Sequence, residues 1–207
     1  MNPHKVTEDF ENAVAEYCGA PYAVAVNSCS NALFLAVWWC RHYGGHALST
    51  VQIPKRTYVS VPMQVQHAGA SIEFCDVEWR GLYQLAPLPV WDSARFFSSG
   101  MYRSGQFICT SHHWSKTLGI QQGGMILCDD VDAVSWFRRA RFDGRTPGVA
   151  PAADTFDQPG WHMYMSPEVA AEGLVRLAFL PKHNEPLPND DYPDLSTAPI
   201  FKRRNVA

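Results

Sequence analysis

Residues 22–33, YAVAVNSCSNAL, decide the class of fold. Tyr22 to Val26 is an apolar run of strand length, residues 27–31 form a polar turn, and the apolar stretch Ala32 to Trp39 is too long for a second strand and unbroken by glycine or proline. The order is therefore strand, polar turn, helix. It recurs downstream, where Val51 to Pro54 is an expected strand, Tyr58 to His67 an expected helix that Pro62 confines or starts late, and Ala70 to Val77 a third strand. Such alternation predicts a parallel sheet with helices on its faces. Upstream, Phe10, Val14 and Tyr17 fall at helical spacing, with Thr7 as the expected N-cap and Gly19 and Pro21 as the stop.

The rhythm changes after Asp76. The stretch Glu78 to Pro89 carries two prolines and leaves no room for a βαβ unit, which takes about 30 residues. Further strands are expected at Phe107 to Thr110 and Met125 to Cys128, and a helix at Val131 to Arg141. Residues 144–160 form a Gly/Pro-rich connector, Pro167 to Leu180 a helix opened by Ser166 and Pro167, and the proline-rich remainder from Pro181 an irregular arm. The arm is too polar for a core and is expected to lie across a dimer partner.

Composition bounds the function. In a chain of 207 residues, 17 Lys and Arg against 20 Asp and Glu give a net charge of −3, which excludes nucleic-acid binding through bulk charge. Hydrophobic residues at 46% and charged residues at 18% exclude a disordered chain or a coiled coil. The six cysteines form no CxxC pair and read as reduced, mostly buried thiols. The first residues lack a basic start followed by an apolar stretch, and no apolar run of about 18 residues occurs. A cytoplasmic protein with a small-molecule partner, and no membrane partner, is the expectation.

Three segments could carry chemistry. Asn27 to Asn31 sit between strand and helix, where hydroxyls and helix N-terminal amides suit a phosphate, although an N-cap serine is the commoner use of such a residue. Asp92 ends an apolar strand, where ligands gather in open α/β sheets; it reads equally well as a helix N-cap. Lys116 lies in the loop Ser111-His112-His113-Trp114-Ser115-Lys116 and could attack a carbonyl if its amine were desolvated, although a lone lysine is usually a solvated surface charge. His112 and His113 would face opposite ways on a strand, so no metal site is expected.

Taken in order, the blocks YAVAVNSCSNAL, IPKRTYVS, GASIEFCDV, WDSA, SHHWSK, QQGG, RRARFDGR and GWHMYMSPEVAAEGLVRL resemble the DegT/DnrJ/EryC1/StrS aminotransferases. The resemblance implies a pyridoxal 5'-phosphate enzyme of aspartate-aminotransferase fold acting on keto sugars. The fold implied is a three-layer α/β sandwich with a mostly parallel sheet. Residues 1–145 would be the cofactor-binding unit and 146–207 a connector, a helix and an arm in place of the family's small C-terminal domain. Lys116 would form the Schiff base and shuttle the proton, and Asp92 would pair with the pyridinium nitrogen. Tyr58 would stack on the ring, and Ser30, Asn31 and Ser111 would hold the phosphate. Retention of lysine at 116, where some relatives carry histidine and become dehydratases, implies aminotransfer from an amino-acid donor to a keto acceptor. A homodimer is implied as well.

The chain is about half the length of a usual member. Arg95 stands where the family has Gln or His near the phenolic oxygen, and could favour the phenolate, serve a substrate carboxylate or phosphate, or point to solvent. His162 and Tyr164 replace the family's Asn and Arg at positions that reach substrate or the partner subunit, and His113 is a further substrate candidate. These departures leave two other readings open: decarboxylation or elimination on the same cofactor, and a cofactor-binding protein without turnover.

Overall fold

The computed structural model describes residues 4–46, 50–189 and 191–202, so the outer ends of the two expected units, 1–3 and 203–207, lie outside the described residues. In chain order the elements are α1 (Lys5–Cys18), β1 (Tyr22–Val26), α2 (Cys29–His42), β2 (Thr50–Pro54), α3 (Ser60–His67), β3 (Ser71–Cys75), β4 (Tyr83–Gln84), β5 (Val90–Ser93), β6 (Phe107–Ser111), β7 (Gly124–Cys128), α4 (Val131–Ala140), α5 (Pro167–Phe179) and α6 (Pro199–Lys202). The helix starts follow local chemistry. The Ser28 side chain accepts from the Asn31 amide at the head of α2, Asp130 caps α4, and Ser166 caps α5 ahead of Pro167. The expected Thr7 cap is corrected: α1 begins at Lys5 and Thr7 lies buried inside it. Val6 packs against the core next to it, so burial rather than a side-chain cap holds the first turn.

Five strands form one sheet in the order β1-β7-β6-β5-β4, and β2 and β3 pair separately in parallel. The expected mostly parallel sheet is corrected to a mixed one. Strands β5 and β6 are parallel, but β7 is antiparallel to both of its neighbours and β4 is antiparallel to β5. The reason lies in the connections. No helix separates β6 from β7 or β4 from β5, and a chain that turns back without a crossover returns antiparallel. The β4–β5 hairpin occupies the short stretch in which no βαβ unit fits.

Side chains alternate across β1 and β7 between two cores. Val24, Val26, Ile126 and Cys128 face α2, α3 and α4, whereas Ala23, Ala25, Met125 and Leu127 face α1 and α5. The result is the expected three-layer α/β/α arrangement. Across the second layer, Gly173 of α5 meets the Phe10 ring of α1 so closely that an added Cβ would lie 2.5 Å from it.

A buried charge network ties the layers together. Glu11 of α1 is 1% exposed; it accepts the Ala25 amide at 2.9 Å, pairs with Arg138 at 3.1 Å, and pairs with Arg141. Arg141 also donates to the Ala25 carbonyl, so one carboxylate links α1, β1 and the end of α4.

The arm lies on its own chain: the Ser99 amide donates to Lys182 O, Leu187 N–H to Arg95 O and Leu195 N–H to Lys55 O, each at 2.8–2.9 Å. Backbone groups of the arm thus find partners within the chain, and Leu195 is buried. Removing the Glu11 carboxylate in Glu11→Ala, with Arg141 left behind in its largely buried place, should cost about 3 kcal/mol of stability, read as a lowered urea midpoint.

Candidate active site

Strands β1, β5 and β6 run the same way, so the segments that follow them emerge at one edge of the sheet. Strand β7 runs the opposite way and brings Gln122, Gly123 and Gly124 to that same edge. Ligand sites in open α/β sheets form at this edge, because the loops there leave a crevice between helices.

Gly124 pairs with both Val26 and Ser111 and lies directly under the start of α2. A Cβ there would lie 2.5 Å from the Cys29 amide nitrogen. Only a bare backbone lets the head of α2 come down onto the sheet edge.

A cavity of about 320 Å³ opens at this edge. Asp92 is at its floor, on β5, with 5% of its surface exposed. One carboxylate oxygen accepts the Ala94 amide at 2.9 Å and the other accepts the Tyr83 hydroxyl at 2.9 Å. The Tyr83 proton is committed to Asp92, so the buried Thr57 hydroxyl, 2.6 Å away, donates to Tyr83 in turn. Asp92 is therefore a strand residue in a hydrogen-bonded relay, and the helix N-cap reading is corrected: no helix follows β5, which runs instead into a turn. Burial pushes the Asp92 pKa above the usual carboxylate value, against the opposing pull of the Ala94 amide, the Tyr83 hydroxyl and the Lys116 charge.

The thiol of Cys29 lies 4.0 Å from Asp92 and 3.5 Å from the Cys109 carbonyl. Burial, reinforced by the Asp92 charge, pushes its pKa far up, so it is an inert neutral neighbour.

The cavity brings together Ser30, Tyr58, Asp92, Arg95, Ser111, His113 and Lys116 from the sequence reading. Asn31 does not line it, since its side-chain amide donates to Asn27 at 2.6 Å. His162 and Tyr164 line a smaller adjoining cavity of about 220 Å³, which shares Asn27 and Gln122 with the first. Ser30 and Ser60 hydroxyls stand 2.6 Å apart at the head of α2. Tyr58 presents an exposed ring, and Arg95 is buried at 6% exposure rather than pointing to solvent. His113 faces the cavity while His112 is wholly buried between Phe10 and Phe97, as adjacent residues with opposite facings require.

Sequence reasoning missed Thr57, Ser60, Trp79 and Tyr192 on the lining and Tyr83 beneath it. Ser60 and Thr57 flank Tyr58 and were in reach of a local argument. Tyr83 and Tyr192 come from the hairpin and the arm, whose placement no local spacing encodes.

A sequence match covers the part of the chain that carries Ser30 and Tyr58 and ends before Asp92 and Lys116. Residues 2–87 match the model of the DegT/DnrJ/EryC1/StrS aminotransferase family. Over those residues the family resemblance is borne out. Solved structures share the fold: DesV of S. venezuelae in complex with a ketimine intermediate is 20% identical over 85% of the chain, with a TM-score of 0.68. The sugar aminotransferase CalS13 of Micromonospora echinospora is 17% identical over 85% of the chain, with a TM-score of 0.70. A GDP-4-keto-6-deoxymannose-3-dehydratase with a trapped PLP-glutamate geminal diamine is 16% identical over 86%, at 0.68. The chain spans 57%, 61% and 61% of these three proteins respectively. A comparison with curated protein sequences finds no match.

Burial lowers the His112 pKa from 6.5 to about 3, so between these values the unfolded chain binds a proton that the folded chain does not. The stabilisation from the neutral imidazole is present above pH 6.5 and is lost as pH falls through that window, by up to about 1.4 kcal/mol per pH unit. His112→Phe should flatten the stability-against-pH curve over this range, measured by denaturant unfolding.

Proposed function

We propose that the protein is a pyridoxal-phosphate-dependent aminotransferase that moves an amino group from an amino-acid donor to a keto sugar or nucleotide-linked keto sugar. One observation carries the reading: a buried carboxylate and a lysine amine line one cavity together with the hydroxyl-rich head of a 14-residue helix. The family match and the sugar aminotransferases among the structural neighbours support it.

The residues fit the cofactor. A carboxylate whose pKa burial has raised gains from a cationic N–H partner, and each Asp92 oxygen has acceptor capacity beyond its one strong bond to the chain. Ser28, Ser30 and Ser111 hydroxyls with the α2 N-terminal dipole suit a phosphate, and the Tyr58 ring suits a stacked heterocycle. When bound, pyridoxal phosphate supplies an electron sink for the carbanion left when a substrate Cα–H proton is removed.

The chain's own groups then have separate tasks. Asp92 would hold the proton on the ring nitrogen, and the Thr57–Tyr83 relay keeps its oxygens oriented. Lys116 would hold the cofactor through its aldehyde, and its Nζ would serve as the base that carries the substrate proton. The serines at the head of α2 would bind the phosphate. The proposal includes a cytoplasmic homodimer in which residues 1–145 form the cofactor-binding unit.

Protein mixed with pyridoxal phosphate should turn yellow, and borohydride should fix the label on Lys116; a wild type and a Lys116→Ala variant with the same featureless visible spectrum would sink the reading. L-Glutamate should yield 2-oxoglutarate without carbon dioxide, which separates aminotransfer from decarboxylation. Asp92→Asn should still take up cofactor but run this half-reaction slower by on the order of a hundredfold or more.

A further inference from the structure

The C-terminal arm returns to the cavity. Tyr192 lines it, together with Trp79, and the two rings lie nearly parallel with centroids 6.1 Å apart. The Arg95 guanidinium carbon stands 5.8 Å from the Tyr192 ring centroid, a cation held against an aromatic ring.

The arm is seated from both sides of this residue. Asn189 donates to the Trp79 carbonyl at 2.6 Å, Arg56 donates to the Tyr192 carbonyl at 3.2 Å, and Lys55 pairs with Asp194 at 3.4 Å while also holding Asp76 at 2.8 Å. Further back, Leu187 N–H donates to the carbonyl of Arg95 itself at 2.8 Å. Gly81 completes the seat: its backbone has φ +78°, and a Cβ there would lie 2.8 Å from the Pro186 ring. Of these anchors Trp79 and Arg95 line the cavity themselves, and Lys55 and Arg56 lead directly into its lining residues Thr57 and Tyr58.

We infer that this arm is the outer wall of the cavity, and that Tyr192 is a specificity-determining residue which holds the Arg95 fork against a carboxylate of the amino donor. The inference rests on the proposed aminotransferase reading. A guanidinium is planar and permanently charged, and it matches a carboxylate through two parallel N–H bonds, provided that its plane is fixed. On one side the Arg95 backbone is fixed by Leu187, and on the other its charged end is faced by Tyr192. Both constraints come from the arm. The inner cavity, with Asp92, Lys116 and the serines, is left to the cofactor, so the wall acts on the substrate.

The test uses the full chain loaded with pyridoxal phosphate and follows the visible spectrum during the half-reaction with L-glutamate. Tyr192→Ala should keep the cofactor spectrum, raise the glutamate concentration for half-saturation by about tenfold, and change the limiting rate by less than about threefold. Tyr192→Phe, which retains the ring over Arg95, should stay close to wild type. Gly81→Ala, which pushes Pro186 off its seat, should reproduce the loss of glutamate affinity. Half-saturation unmoved in Tyr192→Ala, or Tyr192→Phe impaired as much as Tyr192→Ala, overturns the inference. Should Tyr192→Ala fail to fold, Tyr192→Leu, which keeps apolar bulk without the ring, is read by the same criterion. A wild-type protein with no cofactor spectrum overturns the aminotransferase reading instead, whereas a normal spectrum with unmoved half-saturation overturns only the wall.

Discussion

A carboxylate buried at the end of a strand is the constraint around which the cavity is arranged. Asp92 exposes 5% of its surface, and a charge so placed is costly unless hydrogen bonds and opposite charge surround it. The chain supplies an amide from Ala94, a hydroxyl from Tyr83 backed by Thr57, and the nearby charge of Lys116. Even so, burial wins and the group titrates above its ordinary value. Such a residue adds little to stability by itself. Its position suits a ligand with a cationic N–H more than it suits the fold.

The supports of Asp92 explain two otherwise odd features. The β4–β5 hairpin stands where the alternation of strand and helix would have placed another crossover, and it is this hairpin that brings Tyr83 under Asp92. The arm from Pro181 onward adds no further layer, yet its anchors on Lys55, Arg56, Trp79 and Arg95 frame the cavity mouth. Gly124 acts on the opposite side, where the missing side chain lets the head of α2 approach Ser111 and Asp92.

Much of the fold was legible because its signals are local. The change from an apolar strand run to a helix-length apolar stretch across residues 22–39 sets β1 and α2, and serine and aspartate caps mark α2, α4 and α5. Strand direction was not legible. β7 returns antiparallel because of how the chain turns between residues 111 and 124, and no periodicity within either strand reports that turn. Thr7 misled for a similar reason: a good capping residue was overruled by apolar packing around it.

The candidate site divides along the same line. The sequence by itself singled out Ser30, Asp92, Ser111 and Lys116 as candidates, because each sits at a strand end or close after one, and strand ends show in the apolar pattern; the structure brings all four to one cavity. The tertiary structure alone decided that Arg95 is buried rather than solvated, that Asn31 turns away to Asn27, and that His162 and Tyr164 line a separate cavity. It alone placed Tyr83 beneath Asp92 and Tyr192 against Arg95. Those relations depend on a hairpin and an arm packing onto distant segments, and long-range packing leaves no trace in the spacing of residues along the chain.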